Sequence, residues 1–417
     1  MKKLLVYQAW LIWIVSASFY AYEFFIRISP SVMVSNLGYD LGLDHLMIGY
    51  LSGVYYWAYA ILQIPVGILL DRYGTKRLLV VAAVMVALGC YLFSIAQHAD
   101  LLIIGRLLMG AGSAFSFVGC LKLASLWFSN RQFAIVAGLT NLLGVIGALI
   151  GEGPLAELVK HWGWRDSMLY IGIVGLFISL LIALLVKDGP RVFGCPNQKQ
   201  CRKRHQLLVG LRRVAGCRQS WVVALFGGLI VAPIAAFTEL WSVPYLTVAY
   251  QLDKPEAAFL SSFVFVGIGV GAPLHGWLSG RLNKRKPQLF YGALVALVSL
   301  ACVIYLPVFN DFLLGALLFI FGFASSSMIL CFAINREYHP DWASGVVVGF
   351  TNMLVMLSGT VFQPFVGRLL DGLLHASTGE LVAYRWAFLA LPICQGLAMI
   401  MTRFIKETGC QSYKRRG

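Results

Sequence analysis

Charge is scarce in this chain of 417 residues, and negative charge is scarcer still. Asp and Glu number 18 against 33 Lys and Arg, and the four types together make up only 12% of the sequence. Soluble domains carry about 25% charged residues. With 59% of the residues hydrophobic, a water-soluble globule would have no interior large enough to hold them, which makes this an integral membrane protein. Redox and metal motifs are missing too. The nine cysteines form no CxxC, and Cys195, Cys201 and Cys217 with His205 match no common zinc spacing, so the thiols read as reduced and no metal is expected. There is no GxxxxGK[ST], HExxH or GxSxG, which leaves no support for an ATPase, a metalloprotease or a serine hydrolase; no enzyme and no cofactor are expected. The "GIGVG" at Gly267–Gly271 lacks the last spacing of a dinucleotide fingerprint and lies in an apolar run, where small residues serve close helix packing. No N-x-[ST] sequon occurs, which with the short termini suits a bacterial inner membrane.

The formal charge of +15 invites a nucleic-acid reading, but its placement argues otherwise. Basic residues gather at Arg72–Lys76–Arg77, between Lys187 and Ser220, at Arg281–Lys286 and at Lys414–Arg416. They fall in every second connection between apolar runs, as cytoplasmic loops do under the positive-inside rule. Their expected partners are anionic lipid headgroups, with no nucleic acid. Met1-Lys2-Lys3 and "SAS" at 16–18 resemble a secretory signal, yet the apolar run continues past them and reads as an uncleaved first span. A membrane helix takes about 20 apolar residues. About twelve such runs can be placed, centred near residues 22, 58, 87, 115, 145, 176, 234, 269, 298, 324, 356 and 395, with both termini cytoplasmic. The basic stretch 188–219 separates a six-helix half, 1–187, from a second, 220–417, and a monomer is expected.

The halves repeat one another. "GILLDRYGTKR" at Gly67 returns as "GWLSGRLNKRK" at Gly276, 209 residues on. "GLTN" at Gly138 returns as "GFTN" at Gly349, a shift of 211, and "WRDSM" at Trp164 is echoed by "YRWAF" at Tyr384, a shift of 220. Such duplication places a transporter's solute site between the halves, near the bilayer midplane.

The loop after the second span carries Gly67, Asp71, Arg72, Gly74, Lys76 and Arg77 in the pattern G-x-x-x-D-R-x-G-x-[KR]-[KR]. On this motif the whole chain resembles the major facilitator superfamily. The resemblance implies an all-α fold of two six-helix bundles, alternating access without turnover chemistry, and a conformational clamp formed by that loop. Gly280 replaces the acid in the second copy, so a weaker clamp is expected there. "GRLLMGAG" resembles the family's fourth span, which implies that Arg106 braces its own half near a proton-coupling acid. Lys122 lies 16 residues further on, about 160° round the helix, and either faces solute or snorkels to the headgroups. Drug–proton antiporters end their fifth span in paired glycines; "GALIGEGPLAEL" lacks them and inserts Glu152, which lowers the exporter reading.

Glu23 and Arg27 sit inside the first span, four residues apart and so on one helix face, with Tyr20 and Ser31 extending the stripe. A charge at mid-bilayer costs roughly 2.5–3.5 kcal/mol on insertion scales and normally faces a cavity or a partner. The seventh span carries a second acid, Glu239, near Trp241 and Pro244. Three readings stand: a structural pair, an anion site with Arg27 on a carboxylate and Glu23 exchanging a proton, or a cation site at Glu23 or Glu239. The expectation is proton-coupled symport of a small carboxylate-bearing solute, driven by a proton or other ion gradient. An exporter of drugs or siderophore-like compounds and a non-transporting sensor or scaffold are the alternatives. Tyr55, Tyr59, Asn141, Asn352 and Trp241 join Arg27, Glu23 and Glu239 as solute-site candidates, and Glu152 joins the two acids as a proton-coupling candidate.

Overall fold

The computed structural model describes residues 2–128, 130–189, 209–306, 310–340, 343–376 and 379–410. The bulk of the basic linker, with Cys195, Cys201 and His205, and the Lys414–Arg416 tail lie outside them.

Ten stretches are long and apolar enough to cross a membrane: Val6–Val32 (span 1), Thr75–Ser94 (span 3), Ala99–Trp127 (span 4), Val136–Leu185, Arg218–Tyr250 (span 7), Lys254–Leu282 (span 8), Lys286–Tyr305 (span 9), Asp311–Glu337 (span 10), Gly345–His375 (span 11) and Glu380–Phe404 (span 12). The fourth of these is two spans. Gly163, at φ +76° and ψ 165°, breaks the helix into 130–162 (span 5) and 164–185 (span 6), a turn that a side chain would strain. Span 2 is the 29-residue helix His45–Tyr73, which gives the twelve spans expected. Residues at one end of the bundle form the basic face. Three helices that start at the opposite face do so on polar caps: Asp44 accepts from Met47 N–H at 2.7 Å, Asn310 accepts from Leu313 N–H at 2.7 Å, and Asp253 pairs with Glu256 in a capping box.

Each sequence echo marks a repeated contact. Thr140 and Thr351, of the "GLTN" and "GFTN" segments, are both buried and both donate back to the carbonyl four residues earlier at 2.8 Å. Thr140 accepts from Trp13 at 3.0 Å and Thr351 from Asn335 at 2.8 Å. Arg165 and Arg385, of the third echo, donate to Ala96 and Ile304 carbonyls at 3.2 and 3.1 Å, plugging the ends of spans 3 and 9. Close helix approach repeats as well: a Cβ on Gly110 would meet the Tyr55 carbonyl at 2.2 Å, and one on Gly322 the Val264 carbonyl at 2.0 Å.

The basic-face loops follow the same symmetry. After span 6, Asp188 accepts from Lys76 N–H at 2.7 Å and so caps span 3. After span 12, Glu407 accepts from Lys286 N–H at 2.8 Å and from Arg285 N–H at 3.1 Å, capping span 9. Arg285 also forms a two-pronged pair with Glu337 at 2.6 and 3.1 Å. The second loop, which lacks the motif acid at Gly280, is therefore held by two acids from outside the motif.

The halves meet along spans 2 and 11 and along spans 5 and 8. A Cβ on Gly49 would lie 2.4 Å from the Gln363 carbonyl, and one on Gly367 only 2.1 Å from that of His45. Asp371 of span 11 accepts from His45 N–H at 3.0 Å and from Leu46 N–H at 2.7 Å, so the C-terminal half caps a helix of the N-terminal half. Lys254 reaches Asn36 at 2.8 Å, and Lys160 lies 3.7 Å from Asp253. Apart from the Asn352–Gln63 hydrogen bond, these described polar contacts across the seam lie between mid-membrane and the opposite face.

Two predictions follow from this packing. Gly147 rests on the Ala21 carbonyl, which a Cβ would meet at 2.0 Å, whereas Gly138 has open space around it. Gly147→Val is expected to cost about 1–3 kcal/mol and lower the detergent-solubilised melting temperature, while Gly138→Ala leaves it unchanged. For Glu407, burial raises the carboxyl pKa, but the N–H groups of Lys286, Arg285, Gly409 and Thr408 outweigh it and hold the group below its usual range. Its stabilisation is therefore present above the unfolded value of about 4.3 and is lost as pH falls through the lower folded value. Glu407→Gln should cost about 0.5–2 kcal/mol, as cap losses do, in melts at pH 7, and the difference should shrink in melts below about pH 4.

Candidate polar site at mid-membrane

The site begins with a proline. Pro30 has no N–H, so the Ile26 carbonyl four residues earlier has no helical partner, and the helix ends at Ile28 in a short 3-10 turn, Ser29–Val32. Ser29 donates to that carbonyl at 2.9 Å, and Arg106 of span 4 donates to it at 3.0 Å and to the Arg27 carbonyl at 3.5 Å. Arg106 is fully buried and lies over the Tyr55 ring at 4.6 Å. It braces span 4 to span 1 through two backbone carbonyls and to span 2 through the Tyr55 ring, and no carboxylate is bonded to it among the described residues.

Braced in this way, span 1 presents Glu23 and Arg27 on one face, and the two form a buried ion pair. Tyr55 donates to Glu23 Oε1 at 2.8 Å. The Arg27 guanidinium lies 4.3 Å from the Phe24 ring centroid and 5.2 Å from that of Tyr59, an aromatic cradle of the kind that stabilises cations. Glu23 Oε2 and Arg27 Nε remain without hydrogen-bond partners.

Span 7 supplies Glu239 from the other half. The segment Ile234–Trp241 is π-helical and wholly buried, follows Pro233, and holds Glu239 within electrostatic range of Arg27 and Glu23 with one oxygen unpartnered. Such π segments recur at functional sites. The two prolines flanking this segment, Pro233 and Pro244, are the sequence signal for a break; the register of the break has none.

The other expected residues divide. Tyr55 and Tyr59 belong to the cluster. Trp241 is buried, donates to the Gln363 carbonyl at 3.3 Å and has its ring 5.7 Å from that of His45, so it borders the cluster on the opposite-face side. Asn352 donates to Gln63 across the seam at 3.0 Å, one layer toward the basic face. Asn141 is exposed and joins none of these contacts. Glu152 is fully buried with both oxygens unpartnered, while its repeat mate Gln363 donates to the Ala235 carbonyl at 2.8 Å. In the clamp loop, Gly74 takes φ +88° and Arg72 lies 5.2 Å over Tyr73, while the Asp71 side chain falls outside the described residues. His45, Asp371, Asp188 and Glu407 were not marked by any motif, whereas Gln63 lies on the span 2 stripe of Tyr55 and Tyr59.

The arrangement holds two guanidiniums and one paired carboxylate in mid-membrane, a net positive cluster that suits an anion. A lone acid faces it from the other half. The chain is 25% identical over 377 residues to a probable galactarate/D-glucarate transporter, GudP, of Escherichia coli K12, covering 82% of this chain and 83% of that one. It is 24% identical over 271 residues to the probable sulfoacetate transporter SauU of Cupriavidus necator, spanning 63% of each chain. It is 22% identical over 414 residues to the membrane sensor protein UhpC of Salmonella typhimurium, covering 94% and 89%. Among solved structures, a bacterial homologue of the human lysosomal transporter Spinster, inward-facing and unoccupied, superposes with a TM-score of 0.77 at 15% identity, covering 95% and 97%. The family model of the Major Facilitator Superfamily matches residues 12–363 and 225–409, and the chain is a multi-pass membrane protein belonging to that family.

Proposed function

We propose that the chain is a proton-coupled symporter of a small carboxylate-bearing solute in a bacterial inner membrane, with the basic face cytoplasmic. The observation that carries the reading is the net positive cluster of Arg27, Arg106 and Glu23, with Glu239 opposite it across the seam. Relatives named for galactarate, D-glucarate and sulfoacetate support an anion, since all three are acids with small polar frames. Arg27 is the group that meets the carboxylate. To do so it leaves Glu23, whose remaining hydrogen bond from Tyr55 keeps that oxygen satisfied. With Glu239 protonated, the site holds one net positive charge and an anion neutralises it. With Glu239 ionised the site is already neutral, and the anion is released. That alternation couples one proton to one negative charge.

A sensor reading has one observation in its favour, the likeness to UhpC. It differs in outcome, because a sensor binds its ligand and does not carry it across.

The test is uptake of labelled D-glucarate, L-galactonate and sulfoacetate into proteoliposomes. An acid-outside pH gradient should drive accumulation of at least one of them. Arg27→Met should reduce uptake at least 100-fold. Glu239→Gln should keep solute exchange at equal concentrations while losing gradient-driven accumulation. Binding that raises the melting temperature with no exchange at all would favour the sensor, and accumulation driven by sodium alone would reject proton coupling. Arg106→Leu should lose both uptake and thermal stability, because the Ile26 carbonyl then loses its cross-helix donor at mid-membrane.

A further inference from the structure

A cavity of about 180 Å³ lies at the seam just outside the central cluster, near the outer face. It is walled by the ends of spans 1 and 7 and the starts of spans 2, 8 and 12, and its polar lining includes Ser31, Ser35, His45, Thr247, Lys254 and Glu380. Ser31, in the 3-10 turn that follows Arg27, lines this cavity, so span 1 carries polar residues from the central cluster to the cavity wall. Ser31 is 1% exposed and its hydroxyl has no hydrogen-bond partner. Trp241 donates to the Gln363 carbonyl and has its ring 5.7 Å from that of His45, which lines the cavity.

We propose that this cavity is a second, outer binding site for the same class of solute, occupied in series with the central one. The proposal rests on the reading that the solute carries a carboxylate. Lys254 is its anchor: Asn36 holds the ammonium in place at 2.8 Å through a single acceptor, which leaves two of its three donors for a carboxylate. His45 is already engaged by Asp371 at 2.7 Å and so adds a wall rather than an anchor. Glu380 carries the opposite charge, which repels a second carboxylate but accepts from hydroxyl or ammonium groups. The lining therefore fits a solute with one carboxylate end and a hydroxylated or aminated remainder. A solute leaving the outer site for the centre passes Trp241 and exchanges the Lys254 ammonium for the Arg27 guanidinium, so its carboxylate moves between two cations.

Protection from labelling tests this. The thiol introduced by Thr247→Cys lines the cavity, and its reaction with a membrane-impermeant maleimide is followed by peptide mass spectrometry on the full-length purified protein, with the hydroxylated monocarboxylate L-galactonate as the matching probe and the dianions D-glucarate and sulfoacetate beside it. The expected result is at least fivefold slower labelling with one probe. That protection should persist when Arg27→Met is added, disappear when Lys254→Met is added, and return with Lys254→Arg. Thermal stabilisation by the probe should show the converse dependence, falling with Arg27→Met and largely surviving Lys254→Met. Stabilisation without protection, or protection that is lost with Arg27→Met and survives Lys254→Met, leaves only a central site and overturns the proposal. If no probe either stabilises or protects, the carboxylate reading itself fails, and the outer site fails with it.

Discussion

The polar site depends on one missing hydrogen. Because Pro30 cannot donate to Ile26, span 1 leaves a carbonyl exposed at the depth where no water is available to satisfy it, and Arg106 fills that place from span 4. A guanidinium with five donors serves where a lysine would not, since it bonds two successive carbonyls and still lies over the Tyr55 ring. The same contact fixes the rotation of span 1, and with it the direction of Glu23 and Arg27. The positive charge thereby trapped near Arg27 has a second consequence. It makes the cluster net positive, so the brace that shapes the site also selects the sign of what the site suits.

The repeat explains the scaffold but not the chemistry. Structural contacts recur closely: the threonine back-bonds, the arginine plugs at the ends of spans 3 and 9, and the acids that cap spans 3 and 9 from behind spans 6 and 12. Charged site residues do not recur. Tyr55, which bonds Glu23, has Val264 at the matching close approach in the second half, and Glu152 has Gln363. The N-terminal half thus carries both cations and the C-terminal half contributes a single acid, Glu239, on a π-helical segment with no counterpart in span 1. A site built this way is asymmetric across the seam, which lets relative motion of the halves alter the electrostatics of whatever lies between them.

Much of this was legible in the sequence because it obeys local rules. Span number follows from apolar length, and the Glu23–Arg27 pair from a spacing of four in a helix. Where the reading fell short, the cause lies in tertiary placement. Asn141 and Asn352 share a repeat position, yet only Asn352 meets a partner, because span 2 supplies Gln63 across the seam. Arg106 was expected to brace its half near an acid, and its bonds go to the Ile26 and Arg27 carbonyls; the clue to those partners was present in Pro30, 76 positions away in sequence. The second basic loop looked weakened by Gly280, and its replacement, Glu407, comes from beyond the last span, where no motif points. The register of the π segment is set by packing that no spacing rule encodes.

Span 2 joins these parts into one mechanical unit. One face holds the other half: His45 and Leu46 donate to Asp371, Gly49 lies on the Gln363 carbonyl, and Gln63 accepts from Asn352. Its other side holds the charges, with Tyr55 on Glu23 and Tyr59 beside Arg27. Packed interiors switch between arrangements rather than deform smoothly. When the Asp371 cap releases and span 2 parts from span 11, Tyr55 cannot keep its bond to Glu23 unless span 1 moves with it, and span 1 is fixed to span 4 through Arg106. The three helices therefore move as one body, and Glu239, carried by the other, is the acid whose distance from Arg27 must change. Opening the seam and altering the charge balance at the site are, in this geometry, the same event.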